Sequence, residues 1–419
     1  MEQTKKPWYR RLHWQILIAM AAGIVAGLIG RETIALRVGW MGTLFIQLLR
    51  MIIVPLILTS IISGVTAVGG GRSLGRLFSK TLGYYVLSSA LAIFAGLVAV
   101  NLIRPGVGAV IQGTGQAELP DLDAPTSPVD ILFDIVPENF FAAAARPDML
   151  AVIFFCIVLG IAIANLPEEP RRLLTDLFNA GFQAMMKLTQ GVIAFLPIGV
   201  FALIARLVGN SGLEAFRALG LYMVTIAASL TFHLFVTLPL LLIVLGRIKP
   251  QIHFRNMFDA LIMSFSTSSS AATLPVTLND VEKKVGVSNR VSSFVLPMGA
   301  TVNMDGTALY ECAGALFIAQ VLGHELSFMS QLVVVLTALL ASIGAAAIPS
   351  AGLVVIFIVL EAVGLRGPEV EVIVGAMLAV DRPLDMYRTS VNIFSDSCGA
   401  AIIARSEGEK NVDTVVVSD

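Results

Sequence analysis

An all-α, multi-spanning membrane fold is what this sequence predicts, on three observations. Of 419 residues, 56% are hydrophobic and only 14% charged, against about 25% charged in an ordinary soluble domain. Apolar runs recur from residue 14 to residue 405 with no long polar linker, so the chain reads as one integral membrane unit. After residue 250 the apolar stretches shorten and are split by small or polar residues, as in helices that enter a bilayer and turn back. Eight transmembrane helices and two re-entrant helical hairpins are expected. The net charge of −1, without any block of like charges, argues against nucleic acid as a partner. Cys156, Cys312 and Cys398 lack metal-ligand spacing and sit in apolar surroundings, where they read as packing residues.

Lys5, Lys6, Arg10 and Arg11 precede the first apolar run, and no small-residue cleavage site follows a short apolar core. A retained first helix, about 13 to 31, with a cytoplasmic N-terminus is expected. The second, about 39 to 68, stops at Gly69-Gly70-Gly71 before the cytoplasmic Arg72, Arg76 and Lys80. The third, about 79 to 103, carries Tyr84, Tyr85, Ser88 and Ser89, hydroxyls that by themselves suggest only helix packing. Residues 104 to 146 hold Asp121, Asp123, Asp130, Asp134 and Glu138 with almost no basic residue, so they are expected outside. A fourth span ends near Pro167, and a fifth, about 170 to 208, is interrupted by Pro197. The sixth, about 214 to 246, leads into the basic loop of Arg247, Lys249, His253 and Arg255, again cytoplasmic.

Thr267-Ser268-Ser269-Ser270-Ala271-Ala272-Thr273-Leu274-Pro275 lies between an apolar stretch and the basic Lys283, Lys284 and Arg290. Too little apolar length separates its two cytoplasmic flanks for two crossings, so a first hairpin is expected at about 253 to 284. A serine-rich surface loop fits the same composition. The seventh helix, about 287 to 321, is broken by Asn303-Met304-Asp305-Gly306-Thr307 and carries Glu311 a turn further on. A second hairpin, about 329 to 366, is split at Ala341 to Gly352 and enters from outside. Split segments entering from opposite faces, each followed by an acidic helix, suggest inverted repeats around a midplane site.

The last helix presents Asp381, Asp385, Arg388, Thr389, Asn392 and Asp396 within a stripe roughly 100° wide. Each ionised residue at the bilayer centre costs about 2.5 to 3.5 kcal/mol on insertion scales. Asp305, Glu311, Asp385 and Asp396 face Arg388 as their one basic counterpart, so cations or protons must come from solution. Asp305 and Asp396, among Asn303, Asn392, hydroxyls and broken-helix carbonyls, form an all-oxygen setting that suits sodium better than a transition metal. Arg388 can hold a carboxylate through paired hydrogen bonds and Asp385 an ammonium group. Hairpin tips, with free backbone N–H groups, favour a second carboxylate. An amine and two carboxylates describe aspartate or glutamate. Glu311 in an apolar helix has its protonated form favoured by desolvation and reads as a proton carrier, or else as a helix-interface carboxylate.

Three stretches carry a resemblance: Ser269-Ser270 with Thr273-Leu274-Pro275; Gly299 through Thr301, Asn303, Asp305 and Thr307 to Glu311; and Asp385-Met386-Tyr387-Arg388-Thr389-Ser390-Val391-Asn392 with Asp396. Together they resemble the glutamate/aspartate transporter family, the dicarboxylate/amino acid:cation symporters, over nearly the whole chain. The resemblance implies a homotrimeric elevator. Residues 1–78 and 104–208 would be scaffold, and 79–103 and 209–419 the transport domain. It implies that Asp385 binds the amino group, Arg388 and Thr307 the side-chain carboxylate, and Asn392 with the Ser268, Ser269 and Ser270 tip the main-chain carboxylate. Thr389 would support them, and Ile348 and Gly352 would serve from the outer hairpin. One implied sodium site uses Gly299, Asn303, Asn392 and Asp396; a second uses Thr301, Ser342, Ile343 and Ala345; a third uses Tyr85, Ser88, Ser89, Asn303 and Asp305.

The chain departs from the family in one respect. Archaeal members carry an arginine where this chain has Ser268, and animal members one where it has Met386. Arg382, one turn earlier, reads as a residue near the outer surface rather than a replacement. Glu311 resembles the proton-coupled animal type, so sodium and proton are the expected coupled ions. A neutral amino acid exchanger would lack the charge of Arg388, and a dicarboxylate symporter without amine recognition would be repelled by Asp385. An intramembrane hydrolase has no Gly-x-Ser-x-Gly or His-Glu-x-x-His motif to stand on.

Overall fold

A computed structural model describes residues 12–66, 72–109, 136–145, 149–212, 215–343 and 352–413. All regular structure among them is helical. The elements are α1 (Leu12–Thr66), α2 (Arg72–Ile103), α3 (Phe140–Ala145), α4 (Met149–Ala164), α5 (Glu168–Ala194), α6 (Leu196–Ser211) and α7 (Ala215–Phe232). They continue with α8 (Pro250–Asn256), α9 (Phe258–Thr267), α10 (Ser270–Asp280), α11 (Asn289–Val302), α12 (Asp305–Val321), α13 (Phe328–Ile343), α14 (Gly352–Ala362) and α15 (Pro368–Ser406).

Among the described residues, three helical stretches, Trp14–Thr66, Arg76–Ile103 and Phe216–Gly246, are long and apolar enough to cross a membrane. Glu168–Ala194 and Leu196–Asn210, bent by 47°, make a fourth if taken as one span. The bend follows from Pro197 at the start of α6, which has no N–H to continue the ladder of α5. Within α1 two helices meet at a kink at Arg31, φ 45°, ψ −138°, where the first expected span ends. Gly30 stands directly before the kink, and a Cβ there would lie 2.7 Å from Ile34 Cβ, a crowding that glycine avoids. Large apolar side chains point outward along α1, Leu36 and Trp40 among them, as a lipid or subunit contact would require.

Two groups of helices are packed together. In one, α1 packs on α4, α5 and α6. Gly23 and Gly27 let α1 and α6 touch closely, since a Cβ at Gly23 would lie 2.8 Å from the Phe201 carbonyl and one at Gly27 2.7 Å from Val208 Cβ. In the other, α12 is the central rod. It is buried from Asp305 to Ala319 and contacts α2, α7, α13, α14 and α15. Its small residues, Gly306, Ala308, Ala313, Gly314 and Ala315 among them, let neighbours close on it from every side.

Helices α9 and α10 lie side by side. Ser268, at φ 50°, turns the chain between them, and far from that turn Ala260 N donates to Asp280 Oδ2 at 3.1 Å. Ser269 caps α10, its hydroxyl accepting from Ala272 N. The serine-rich stretch is therefore the tip of a helical pair and not a surface loop. Helices α13 and α14 also pack on one another, while the turn joining them lies outside the described residues.

The chain after α15 is fastened to the base of the α9/α10 pair. Buried His253 holds Asp413 Oδ2 at 2.7 Å through Nδ1 and Ser397 Oγ at 3.0 Å through Nε2. Asn256 Nδ2 donates to Asp413 Oδ1 at 2.8 Å, and Asp413 N donates to the Val285 carbonyl at 2.7 Å. Glu407 pairs with Arg76 and Lys80 of α2. Asp413→Ala takes the carboxylate partner from buried His253 and one of two acceptors from Asn256 Nδ2, which keeps the Lys284 carbonyl at 3.1 Å, at about 1–3 kcal/mol for a buried group left unsatisfied. A lower midpoint of thermal unfolding in detergent is expected, with Asp413→Asn losing less.

Candidate functional site

The helix break between α11 and α12 is two residues long. Asn303 and Met304 are extended, at φ −98°, ψ 93° and φ −121°, ψ 59°, so the ladder stops inside the protein and starts again at Asp305. Backbone groups released there must find other partners. Gly306 N donates to Asn392 Oδ1 of α15 at 2.7 Å. Asn303 Nδ2 donates to Asp396 Oδ1 at 2.9 Å and to Ser395 Oγ at 3.0 Å. The α12 backbone can sit this close to α15 because residue 306 has no side chain.

Helix α2 supplies hydroxyls to the same break. Ser89 Oγ donates to Asp305 Oδ1 at 2.6 Å, and Ser88 Oγ lies 3.2 Å from that oxygen and 3.3 Å from Asn303 Oδ1. Tyr85 donates to the Val295 carbonyl at 2.8 Å. A Cβ on Gly299 would fall 2.6 Å from the Tyr85 hydroxyl and 2.5 Å from Asp396 Oδ1, so both groups close over that glycine. Tyr85, Ser88, Ser89, Gly299, Asn303, Asp305 and Asp396 thus form one buried cluster.

A residue bonded to that cluster corrects the all-oxygen expectation. His233 Nε2 lies 3.0 Å from Asp305 Oδ2, and both side chains are buried. It stands in a π-helical turn, His233–Thr237, that interrupts the helix begun by α7. It was legible as the one histidine of an apolar span, the kind of intramembrane residue that needs a partner. Among the described residues no group of three or more His, Cys, Asp and Glu could hold a metal. Beyond Asp305, Asp396 and the His233 ring, the groups available to a cation are amides, hydroxyls and carbonyls, a mainly oxygen set that fits a hard ion.

The charged part of the stripe lies nearer the start of α15. Arg388, 1% exposed, puts Nη2 at 2.8 Å from Asp385 Oδ1 and 3.2 Å from Asp381 Oδ1, and its guanidinium stacks 4.1 Å from the centre of the Tyr310 ring. Arg382 is also buried, its Nη1 at 2.9 Å from Asp385 Oδ2. An outer-surface reading of Arg382 does not account for this. Two arginines and two aspartates balance one another, so Arg388 is not the single basic member. Uncompensated acidity resides in Asp305, Asp396 and Glu311. Glu311 is buried, and neither carboxyl oxygen has a hydrogen-bond partner among the described residues.

Around this stripe, Thr389 Oγ1 donates to the Asp385 carbonyl at 2.8 Å, and Asn392 Nδ2 donates to Thr307 Oγ1 at 3.4 Å. Gly352, the first residue of α14, lies against the Arg388 guanidinium: a Cβ there would meet Nη1 at 3.0 Å. Ser268 and Ser270 are buried at the α9/α10 tip, and the Ser268 hydroxyl has no partner among the described residues. Thr301 and Ile343 share the wall of a cavity of about 340 Å³ with Ser60 and Met298, away from the stripe. Ser342 bonds within its own helix, to the Leu339 carbonyl. Ala345 and Ile348 lie outside the described residues.

Broken helices around a buried, charged polar site define a multi-pass membrane protein built to hold charged ligands away from lipid. Residues 12–406 match the sodium:dicarboxylate symporter family, and the chain belongs to it. An excitatory amino acid transporter of Caenorhabditis elegans is 36% identical, over 93% of this chain and 85% of its own length. Excitatory amino acid transporter 3 of Mus musculus is 34% identical, over 95% and 87%. The proton/sodium-glutamate symport protein of Bacillus caldotenax is 33% identical, over 96% and 95%.

The contact of α12 with α15 can be tested at its tightest point. A Cβ on Gly306 would lie 2.7 Å from Arg388 Cβ and 2.8 Å from the Arg388 carbonyl. Gly306→Ala is expected to cost about 1–3 kcal/mol through overpacking, read as a lower thermal midpoint of the purified protein.

Proposed function

We propose that this protein is a secondary active symporter that takes up aspartate or glutamate, driven by sodium ions with a co-transported proton. The observation that carries the proposal is the buried Asp385/Arg388 pair on the helix that also presents Asn392 and Asp396 to the polar cluster. The relatives named as glutamate and excitatory amino acid carriers, one of them proton/sodium-coupled, support the same substrate and ions.

In this reading Asp385 accepts the substrate's ammonium group, and Arg388 with Thr307 takes the side-chain carboxylate. Asn392, Thr389 and the tips at Ser268–Ser270 and Ile348–Gly352 hold the main-chain carboxylate. Sodium ions occupy the Asp396/Asn303/Asn392/Gly299 group, the Asp305/Ser88/Ser89/Tyr85/Asn303 group and a third site at Thr301, Ser342, Ile343 and Ala345. Asn392 belongs to substrate and ion alike, so each stabilises the other's site and the two bind cooperatively. Glu311, buried without a hydrogen-bond partner among the described residues, carries the proton.

Eight spans and two re-entrant hairpins, with N- and C-termini cytoplasmic, form the protomer of a homotrimer in the plasma membrane. The group of α1, α4, α5 and α6 serves as scaffold. The group around α12 moves against it as an elevator, a partition that the two packing groups support.

In proteoliposomes, an inward sodium gradient is expected to drive uptake of aspartate or glutamate several-fold above an equal potassium gradient; equal uptake would remove sodium coupling. Glu311→Gln is expected to flatten the pH dependence of that uptake. An unchanged pH profile would take Glu311 out of the proton role.

A further inference from the structure

We infer that Arg382 is a specificity-determining residue: a tethered cation at the ammonium-accepting oxygen of Asp385 that sets how strictly the site requires an amine. The inference rests on the proposed acidic amino acid symport and goes beyond it.

Asp385 is gripped from both sides. Arg388 Nη2 stands 2.8 Å from Oδ1 and Arg382 Nη1 stands 2.9 Å from Oδ2. The two arginines differ in their alternatives. Arg388 also has Asp381 at 3.2 Å and the Tyr310 ring beneath it. Arg382 has Asp385 as its one carboxylate partner among the described residues, and its Nε is buried without a hydrogen bond there. Arg382 is thus the member of the network free to exchange partners without abandoning a second carboxylate.

That geometry puts a protein cation where an ammonium group would bind. A ligand with an amine has to compete with the Arg382 guanidinium for Oδ2. A ligand with two carboxylates and no amine leaves the Arg382–Asp385 pair in place, so Asp385 is already neutralised and does not repel it. Without Arg382 both effects reverse. Asp385 then keeps the Arg388 guanidinium and loses the second one, so more of its negative charge is left to attract an ammonium group and to repel any second anion. Discrimination is a difference between two affinities, so a residue that helps one ligand and hinders the other moves it twice. A side chain that only braces α15 would weaken both ligands together.

The test uses purified full-length protein in detergent with saturating sodium, and calorimetric binding of matched pairs: L-aspartate against succinate, and L-glutamate against glutarate. The wild-type protein is expected to bind the amino acid more tightly while still binding its amine-free partner. In Arg382→Gln, with Arg382→Met in parallel so that the ratio is read on a folded neutral variant, the ratio of the two Kd values is expected to widen at least tenfold. The amine-free ligand weakens and the amino acid binds as tightly or more so. Arg382→Lys, which keeps a cation, is expected within about threefold of the wild-type ratio. A ratio unchanged in the neutral variants, both ligands weakened in parallel, or no competition by the amine-free ligand in wild-type protein overturns the role of Arg382. Wild-type protein that is folded and binds neither amino acid in sodium overturns the symport reading itself.

Discussion

Two arginines and two aspartates on the early part of α15 neutralise one another inside the protein, and much of the surrounding structure exists to make that possible. Removing charges from water costs several kcal/mol per ion unless geometry and hydrogen bonds repay it. Here Asp385 has a guanidinium on each oxygen, and Arg388 has two carboxylates and an aromatic face. The enclosure comes from α12, whose buried length runs from Asp305 to Ala319 beside α15, and from Gly352 laid against the Arg388 guanidinium. A network balanced in this way can persist in a low-dielectric setting and still exchange partners with a zwitterion.

The cluster around Asp305 and Asp396 follows the opposite rule. No arginine or lysine pairs with either residue among the described ion pairs, and His233 is the one basic side chain bonded to Asp305. Hydroxyls and amides satisfy part of their oxygens, beside the point where the chain leaves the helix at Asn303 and Met304. Placing an unbalanced cluster beside a balanced one, with Asn392 bonded to the backbone of Gly306 between them, gives ions and substrate separate electrostatic terms and a shared structural element. In the proposed mechanism that shared element is the physical basis of coupling.

Local chemistry was legible where a residue type contradicts its surroundings. Serines between apolar stretches, with basic residues on both flanks, announced the α9/α10 tip, and Asn303-Met304-Asp305-Gly306 announced the helix break. The last helix showed its stripe because 3.6-residue periodicity turns sequence spacing directly into a face. Arg382 was misplaced for the same reason: it sits at the stripe's margin, and only its rotamer brings Nη1 to Asp385. His233 was passed over because its partner lies 72 positions away, beyond any local pattern. The kink of α1 was legible as well: the first expected span ends at residue 31, directly after Gly30, and the backbone departs from the helix at Arg31.

The amino-acid sequence by itself determined that the protein is helical and membrane-embedded, which faces of its late helices are polar, and which residues carry the charge. These follow from composition and from periods of a few residues, and they need no knowledge of what lies opposite. Only the tertiary structure decided which charges cancel and which remain. Whether a buried carboxylate meets a guanidinium, an imidazole or a hydroxyl depends on contacts of about 3 Å between segments far apart in the chain, and the electrostatics of the site change with each of them.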